Sequence, residues 1–327
     1  MMRRILFNRE MILFGIFLAL FIGFSLFVDN FFDWNALFRR SRYWVPVGMM
    51  AVPMTFIIAT AGIDLSVGSI AALCGIVLGM LYNDAGWNVW AAAVVAVLVG
   101  ATAGSLNGGV SCYLGIPPLV VTLATMALFR GVAMGMSKAR SLGGFPESFR
   151  ALRDNDLLQR LGFENASVNV PLSLVPLILV FAIGWFVMHR SWIGRYTECV
   201  GESPIAASFA AINVRRLKFW IYTACGMVCG VAAIFATGLA STAKADAMRG
   251  AELDVIACVV VGGTRISGGR GSIIGSLLGL LIIGILKHGL SLAGVEDQYI
   301  IIYLGLLLVA TAVVNEWVAR QMGGRTR

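Results

Sequence analysis

The sequence predicts an all-α fold: a polytopic transmembrane helical bundle with about ten crossings, some of them short or broken helices. Of the 327 residues, 59% are hydrophobic and 13% are charged, and the mean hydropathy is +0.86. Soluble domains carry about 25% charged residues. The apolar residues also fall into runs of about 17–25, the length that crosses roughly 30 Å of hydrocarbon as a helix. We therefore expect one transmembrane domain over residues 1–327, with the lipid bilayer as its solvent.

Charge and motif content narrow the classes of function. The net charge of +8 comes from Lys and Arg residues that sit mostly in polar loops, where basic residues usually set membrane topology. They form no face interleaved with aromatic residues, so we expect no nucleic acid among the partners. The six Cys residues lack metal-ligand spacing, and no Ser/His/Asp or Cys/His constellation can be assembled. We therefore expect neither an enzyme nor a bound metal or other cofactor.

Five apolar runs in the first half of the chain predict five crossings. They are Met11–Val28, Tyr43–Ala61, Leu65–Tyr82, Asn88–Tyr113 and Ile116–Ser137. Arg3, Arg4 and Arg9 precede the first run and favour a cytoplasmic start. That run is too long for the apolar core of a cleaved signal peptide. The polar segment 138–169 follows the fifth run, and we expect it on the periplasmic side.

Five further runs follow, one of them short. They are Pro171–Met188, Phe219–Ser241, Leu253–Val261, Ser272–Leu292 and Tyr299–Val318. Leu253–Val261 crosses only if flanking residues extend it, so nine or eleven crossings remain open beside ten. Ten crossings place both termini and the polar segment 190–218 in the cytoplasm, in a multi-pass protein of the bacterial inner membrane.

The motif Gly62–Ser69, with the sequence GIDLSVGS, places a carboxylate between two apolar runs. An ionised Asp64 near hydrocarbon is costly unless it is paired or hydrated, which makes it a candidate functional residue. The alternative is that Asp64 caps the following helix by accepting its free N–H groups. The two interpretations are compatible, because a cap at a broken helix can also line a cavity.

Few other polar groups interrupt the apolar runs, and Asn107, Thr122 and Arg130 are the main ones. Arg130 is the costliest, and it needs a partner or a water-filled cavity unless it snorkels toward the outer interface. The loop Gly262–Gly271 is rich in glycine, which is weak support for phosphate binding. No GxxxxGK[ST] occurs anywhere in the chain, so the sequence contains no recognisable ATPase.

Within the polar segment 190–218, Ser203 and Pro204 mark the start of a short helix. The face of this helix is small and apolar. In a cytoplasmic loop such a face favours docking into the groove of another protein. The alternative is a helix that lies on the membrane surface, and it would be expected to carry bulkier apolar residues.

These motifs together resemble those of the ribose-type permeases of ATP-binding-cassette importers, which include monosaccharide, rhamnose and autoinducer-2 permeases. Gly62–Ser69 is similar to the family's GGIDLSVGS, with Ala61 in place of the first glycine. Asn107-Gly108, Thr122-Leu123 and Arg130-Gly131 match its NG, TL and RG pairs.

The second half of the chain carries the same resemblance. Glu252–Asp254 followed by Val261–Gly271 is similar to the family's ELDxIAAVVIGGTSLxGGxG. The loop from Gly194 follows the spacing of the family's G-x-N-x-x-A-A coupling loop, although Ser203 stands where Asn is usual.

The resemblance implies a permease subunit that forms the pathway for a monosaccharide or related small polyhydroxylated solute, rhamnose-like or autoinducer-2-like rather than ribose. Its partners would be cytoplasmic ATP-binding subunits, a second permease chain and a periplasmic solute-binding protein. The expected pathway residues are Asp64, Ser66, Asn107, Thr122, Arg130 and Asp246. The residues expected to couple to the ATPase are Gly194, Arg195, Gly201, Glu202, Ala206, Ala207 and Asn213.

An ion-coupled secondary transporter, or a channel, that works without an ATPase is the alternative function. Ion-coupled carriers usually keep acidic residues at mid-membrane depth. The acidic groups nearest to that depth here are Asp64, Glu252 and Asp254, and all three lie at predicted span ends.

Overall fold

The computed structural model describes residues 9–154 and 169–323, and this part of the chain is mostly helical, with almost no sheet. Its helices and strands follow in the order α1 (Arg9–Phe27), α2 (Trp34–Ser41), α3 (Trp44–Ala59), α4 (Val67–Asn83), α5 (Val89–Tyr113), α6 (Pro118–Ser137), β1 (Leu142–Gly143), α7 (Glu147–Asp154), α8 (Leu174–Arg190), α9 (Trp192–Glu202), α10 (Pro204–Phe209), α11 (Val214–Ala240), β2 (Thr242–Ala243), α12 (Ala251–Val261), α13 (Ile273–Leu292) and α14 (Asp297–Gly323). The predicted all-α polytopic fold is confirmed.

Each predicted crossing coincides with a helix, but fewer helices are long enough to span a membrane unaided. By length and composition, five described helices qualify: α1, α5, α6, α11 and α13. Two bent pairs also qualify if each is one span, α2 with α3 at 53° and α8 with α9 at 68°. Helix α4 and the apolar part of α14, Asp297–Thr311, are too short to qualify by the same criteria. The count of ten crossings therefore stays a prediction.

Helices α5 and α11 form the most extensive contact of the bundle. Gly100 and Gly104 on α5 face Gly226 and Gly230 on α11. A Cβ on Gly226 would overlap the Gly100 carbonyl oxygen and would lie 2.8 Å from the Gly104 Cα. In a bilayer, small residues let two helices approach until their backbones touch, which compensates for the weak hydrophobic drive between helices in lipid.

Helix α3 lies at the centre of the bundle and is buried along nearly its whole length. It runs antiparallel to α13, so that Gly48 lies opposite Leu280 and the Thr55 Oγ1 lies 2.8 Å from the Ser276 Oγ. A helix that is apolar all round is expected to be enclosed by other helices. Asp64 and Ser66, the polar residues of the break that follows α3, are also buried.

The loops gather at two ends of the bundle. At the glycine end, Gly201 lies against Ala59 and Gly269, and the Ser272 Oγ donates to the Glu10 Oε1 at 2.8 Å. At the strand end, β1 pairs antiparallel with β2, with Leu142 opposite Ala243. Segments that the ten-crossing scheme assigns to one side of the membrane thus share one end. The predicted loop 138–169 begins at the strand end, and its residues 155–168 lie outside the described chain.

The short predicted piece Leu253–Val261 is part of α12. Together with the irregular segment 244–250, α12 connects the two ends of the bundle. This segment leaves β2 at the strand end. After α12, Gly262 meets Gly275 in the first turn of α13, so close that a Cβ on either residue would overlap the other's backbone. A short helix preceded by irregular backbone is tolerated at membrane depth where protein encloses it.

Candidate functional site

The break between α3 and α4 carries a chain of hydrogen bonds. Asp64 Oδ1 accepts from the Ser66 backbone N at 2.8 Å and from the Ser66 Oγ at 2.6 Å. Asn107, on α5, donates from Nδ2 to the same Ser66 Oγ at 2.7 Å. All three side chains are fully buried. Asp64 thus accepts an N–H group just before α4, as a cap does, and it does so in the interior of the bundle.

Three buried polar atoms around this break have no hydrogen-bond partner in the described part of the chain: Asp64 Oδ2, Asn107 Oδ1 and Tyr222 Oη. Tyr222 lies on α11, and its hydroxyl is 2.7 Å from the position that a Cβ on Gly62 would take. Buried polar atoms are paired in about 90% of cases or more, so a group of unpaired ones marks a place where a water, a ligand or another conformation supplies the partner. Sequence reasoning missed Tyr222, whose signal was a hydroxyl in a long apolar run.

Helix α6 reaches the same break through Thr122. The Thr122 Oγ1 donates to the Ile63 carbonyl oxygen at 3.2 Å. The structure therefore brings together four of the six predicted pathway residues, Asp64, Ser66, Asn107 and Thr122. They come from the break between α3 and α4, from α5 and from α6.

Arg130, further along α6, has partners inside the bundle. Its Nη1 donates to the carbonyl oxygens of Ala245 and Ala247, at 2.7 and 2.6 Å. Of the two interpretations of Arg130, a partner within the protein is therefore the one realised. These bonds hold the irregular segment 244–250, in which Asp246 is exposed and Met248 has a φ of +56°. A positive φ is strained for a non-glycine residue, so Met248 needs the support that the hydrogen bonds from Arg130 provide.

The polar break and the segment 244–252 meet at the first turn of α4. A Cβ on Gly68 would lie 2.6 Å from the Met248 carbonyl oxygen and 2.6 Å from the Glu252 Oε2. That carboxylate oxygen is buried and has no hydrogen-bond partner among the described residues. Glycine at position 68 thus lets the segment 244–252 approach the backbone of the buried break. Sequence reasoning had placed Glu252 at a span end and gave it no role.

Helix α12 is tied to α13 by an ion pair that the sequence did not predict. Lys287 Nζ and Asp254 Oδ2 are 2.7 Å apart, with the side chains 35% and 24% exposed. The carboxylate of Asp254 is therefore engaged with a cation. Asp64 and Glu252 each retain one buried carboxylate oxygen that has no partner within the described part of the chain.

The predicted short helix in segment 190–218 is α10. Ser203 caps it, and its Oγ accepts from the Ala206 N at 3.2 Å. Ala207 is buried, whereas Ile205 and Phe209 are 71% and 88% exposed. The outward face of α10 is thus bulkier than the alanines alone suggested, and Ile205 and Phe209 are the residues that sequence reasoning missed.

The other predicted coupling residues divide into exposed and packed positions. Gly194 and Gly201 are buried, and a Cβ on either would overlap a backbone oxygen, that of Met188 or that of Ala59. Both glycines therefore set close helix packing. The exposed positions are Arg195, Glu202, Ala206 and Asn213. Asn213 also caps α11, because its Oδ1 accepts from the Arg216 N at 3.0 Å.

A polytopic helical bundle whose interior holds a discontinuous, polar segment has the architecture of a membrane transport protein. Comparison with known proteins agrees. Residues 37–312 match the family described as branched-chain amino acid transport system / permease component. No solved structure gives a significant match.

Curated relatives align along nearly the whole chain. The autoinducer 2 import system permease protein LsrD of Klebsiella pneumoniae is 33% identical over 95% of this chain and 94% of its own length. LsrD of Photorhabdus luminescens is 36% identical over 91% of each chain. LsrD of Escherichia coli O9:H4 is 31% identical over 97% of this chain and 98% of its own length.

The chain belongs to this permease family, and the resemblance to the ribose-type permeases of ATP-binding-cassette importers is confirmed. It is a multi-pass inner-membrane protein and a permease subunit of such an importer. A transport permease is not itself an enzyme.

Proposed function

We propose that this permease carries a small polyhydroxylated solute, autoinducer-2-like or rhamnose-like rather than ribose. The observation that carries the proposal is the 33–36% identity over more than nine tenths of the chain to permeases named for autoinducer 2 import. The polar break at Asp64 supports it, because hydroxyl-rich solutes are recognised by carboxylate, amide and hydroxyl groups in an enclosed site.

Asp64, Ser66, Asn107 and Thr122 form the polar part of the pathway in this proposal, with Tyr222 added from α11. The unpaired Asp64 Oδ2, Asn107 Oδ1 and Tyr222 Oη supply two acceptors and a donor for a passing solute. Arg130 acts on the pathway indirectly, by holding the segment 244–250 through two backbone carbonyls. Asp246 is the exposed acidic residue of that segment.

In this proposal, separate cytoplasmic subunits hydrolyse ATP. Helices α9 and α10 transmit the ATP-driven closure of those subunits to the permease. The glycine end then faces the cytoplasm together with both termini, and the strand end faces the periplasm and a solute-binding protein. A second permease chain completes the pathway. The docking role of α10 is supported by the match of the segment from Gly194 to Ala207 to the family's coupling loop. The bulky exposed side chains of Ile205 and Phe209 fit a groove on a partner and the membrane surface alike.

Reconstitution tests both the mechanism and the solute. Proteoliposomes that hold the permease, its ATPase subunits and ATP inside should accumulate labelled autoinducer-2 or rhamnose only when the cognate binding protein is added outside. Ribose serves as the control solute. Uptake by the permease alone, driven by an ion gradient, would instead support the ion-coupled alternative, for which the unpaired carboxylates of Asp64 and Glu252 are the specific feature.

A further inference from the structure

A cavity of about 510 Å³ opens at the strand end, away from the buried break. It lies between the α2–α3 bend, the last turn of α11 and the last turn of α13. Its polar lining includes Arg39, Arg40, Arg42, Arg153 and His288. Four arginines around one cavity are a large concentration of positive charge at the edge of a membrane protein.

Two buried side-chain nitrogens of this cavity lack a hydrogen-bond partner among the described residues. They are the Arg42 Nε and the His288 Nε2. The His288 ring is fixed in place by Phe31, with the ring centroids 5.5 Å apart. Among the described residues, Asp33 pairs with Arg39 at 3.9 Å, and both of these side chains are about half exposed. Arg40 and Arg42 therefore have no carboxylate partner among the described residues.

This lining fits an oxyanion of the phosphate type. Guanidinium groups donate to phosphate oxygens in a fixed, often bidentate geometry, and such charge-assisted bonds are strong where water is partly excluded. The unpartnered Arg42 Nε–H adds a directed donor to the charge of Arg40, and His288 adds a second one in the tautomer that carries its proton on Nε2. A neutral polyol would leave that charge unbalanced, so the cavity is chemically distinct from the solute pathway.

The surroundings of the cavity point to a lipid as the source of the phosphate. Leu239 and Leu292 line it, and Tyr43 at its edge is 64% exposed. Phe27 and Trp34 at the same end are 87% and 48% exposed. Exposed aromatic residues at a span end are typical of the lipid headgroup region, where clustered arginines bind anionic lipids.

We propose that the cavity binds the phosphodiester group of an anionic phospholipid, with Arg40, Arg42 and His288 as its donors and the acyl chains along the exposed apolar surface of α1 and α2. This site goes beyond the solute and the ATPase, and it does not depend on which solute is carried. Bound lipid would join α2, α11 and α13 at the strand end.

The test uses the full-length chain purified in detergent and titrated with phosphatidylglycerol or phosphatidylcholine, with bound lipid measured by native mass spectrometry. Arg40→Gln/Arg42→Gln should weaken phosphatidylglycerol binding about tenfold or more, because two charge-assisted interactions are lost. Arg215→Gln/Arg216→Gln, an exposed pair at the opposite end, is the matched control and should bind as the unchanged chain does. Phosphatidylcholine should bind weakly to all three.

Several outcomes would overturn the proposal. Equal losses in both double variants would mean unspecific charge attraction. Unchanged phosphatidylglycerol binding together with lost docking of the solute-binding protein would mean that the arginines serve an acidic protein surface. Inorganic phosphate that competes at concentrations similar to those of the lipid would mean a soluble anion site. If the double variant does not fold, Arg40→Gln alone and His288→Gln are to be measured, and unchanged lipid binding in both would be equally decisive.

Discussion

Asn107 Nδ2 donates to Ser66 Oγ over 2.7 Å, and this bond ties α5 to the break between α3 and α4. The Ser66 hydroxyl in turn donates to Asp64 Oδ1 at 2.6 Å. A single hydroxyl therefore joins the carboxylate of the break to the amide of α5. Removing it would leave the Asn107 amide without its acceptor in a fully buried place.

Ser66→Ala is therefore expected to destabilise the protein by about 1–3 kcal/mol, the range for leaving a buried polar group unpaired. The free energy of unfolding can be measured by SDS titration in mixed micelles. Ser69→Ala is the matched control, because the Ser69 Oγ makes one buried bond, to the Ser66 carbonyl oxygen, and has no charged partner among the described residues. Equal losses of unfolding free energy in the two variants would show that the hydrogen bonds of Asp64, Ser66 and Asn107 stabilise the protein no more than the single bond of Ser69 does.

The contact of α5 with α11 gives a second prediction. Gly226→Ala should cost about 1–3 kcal/mol, because the added methyl group would overlap the Gly100 backbone and force the helices apart. Gly109→Ala, on α5 with nothing within 4 Å of the new Cβ, should instead be neutral or stabilise by up to about 1 kcal/mol. The same unfolding assay compares them. A tolerated Gly226→Ala would contradict the close backbone packing.

The sequence predicts those features of this architecture that depend on local properties of the chain. Each predicted span became a helix, because run length and apolar composition are local properties. The roles of Asp64 and Asn107 as buried polar residues could also be predicted, since a polar side chain in an apolar run is visible without tertiary structure. Arg130 was identified as costly, but its partners, the carbonyls of residues 245 and 247, are backbone groups more than a hundred residues away.

The missed features all depend on contacts between distant segments. The cavity at the strand end gathers Arg40, Leu239 and His288 from three helices, and no pattern within one helix predicts it. The exposure of Ile205 and Phe209 depends on which face of α10 packs against the bundle. In a helix of six residues, hydrophobic periodicity is too short to decide that.

The ion pair between Lys287 and Asp254 gives a third prediction. Loss of one partner should destabilise the protein, because the other charge stays partly buried between α12 and α13. With the two side chains 35% and 24% exposed, the expected cost of Lys287→Met is about 1–2 kcal/mol, below that of a fully buried pair. Asp254→Leu/Lys287→Met should recover most of the loss. Additive costs in this double-mutant cycle would show that the two charges are not coupled.

Arg130 gives a fourth prediction, on the irregular segment 244–250. Arg130→Gln removes the donors that hold the Ala245 and Ala247 carbonyls, so backbone amides of this segment should exchange with deuterium faster. Solute uptake by the assembled importer should fall with it. Arg140→Gln is the control, because Arg140 makes an exposed contact to Asp84 at 3.3 Å outside this segment. Unchanged exchange in Arg130→Gln would mean that the segment is held without Arg130.

The last prediction concerns α10 and separates residues that the sequence treated alike. Ala207 is buried, so a bulky residue there should disturb folding, whereas Ala206 and Phe209 are exposed and can be changed without disturbing the core. Phe209→Ala should lower solute-stimulated ATPase activity of the assembled importer about tenfold or more, as loss of an aromatic anchor in an interface does. The measurement is ATP hydrolysis in proteoliposomes with and without solute-loaded binding protein.

Phe27→Ala is the matched control for this last variant. Phe27 is 87% exposed against 88% for Phe209, but it lies at the strand end. Because both side chains are largely exposed, both variants should keep the membrane insertion and unfolding free energy of the unchanged chain. Only Phe209→Ala should lose coupling if α10 docks on the ATPase. Normal coupling in Phe209→Ala would move the docking surface elsewhere on the glycine end, and loss of coupling in both variants would mean that exposed aromatic residues act through the membrane.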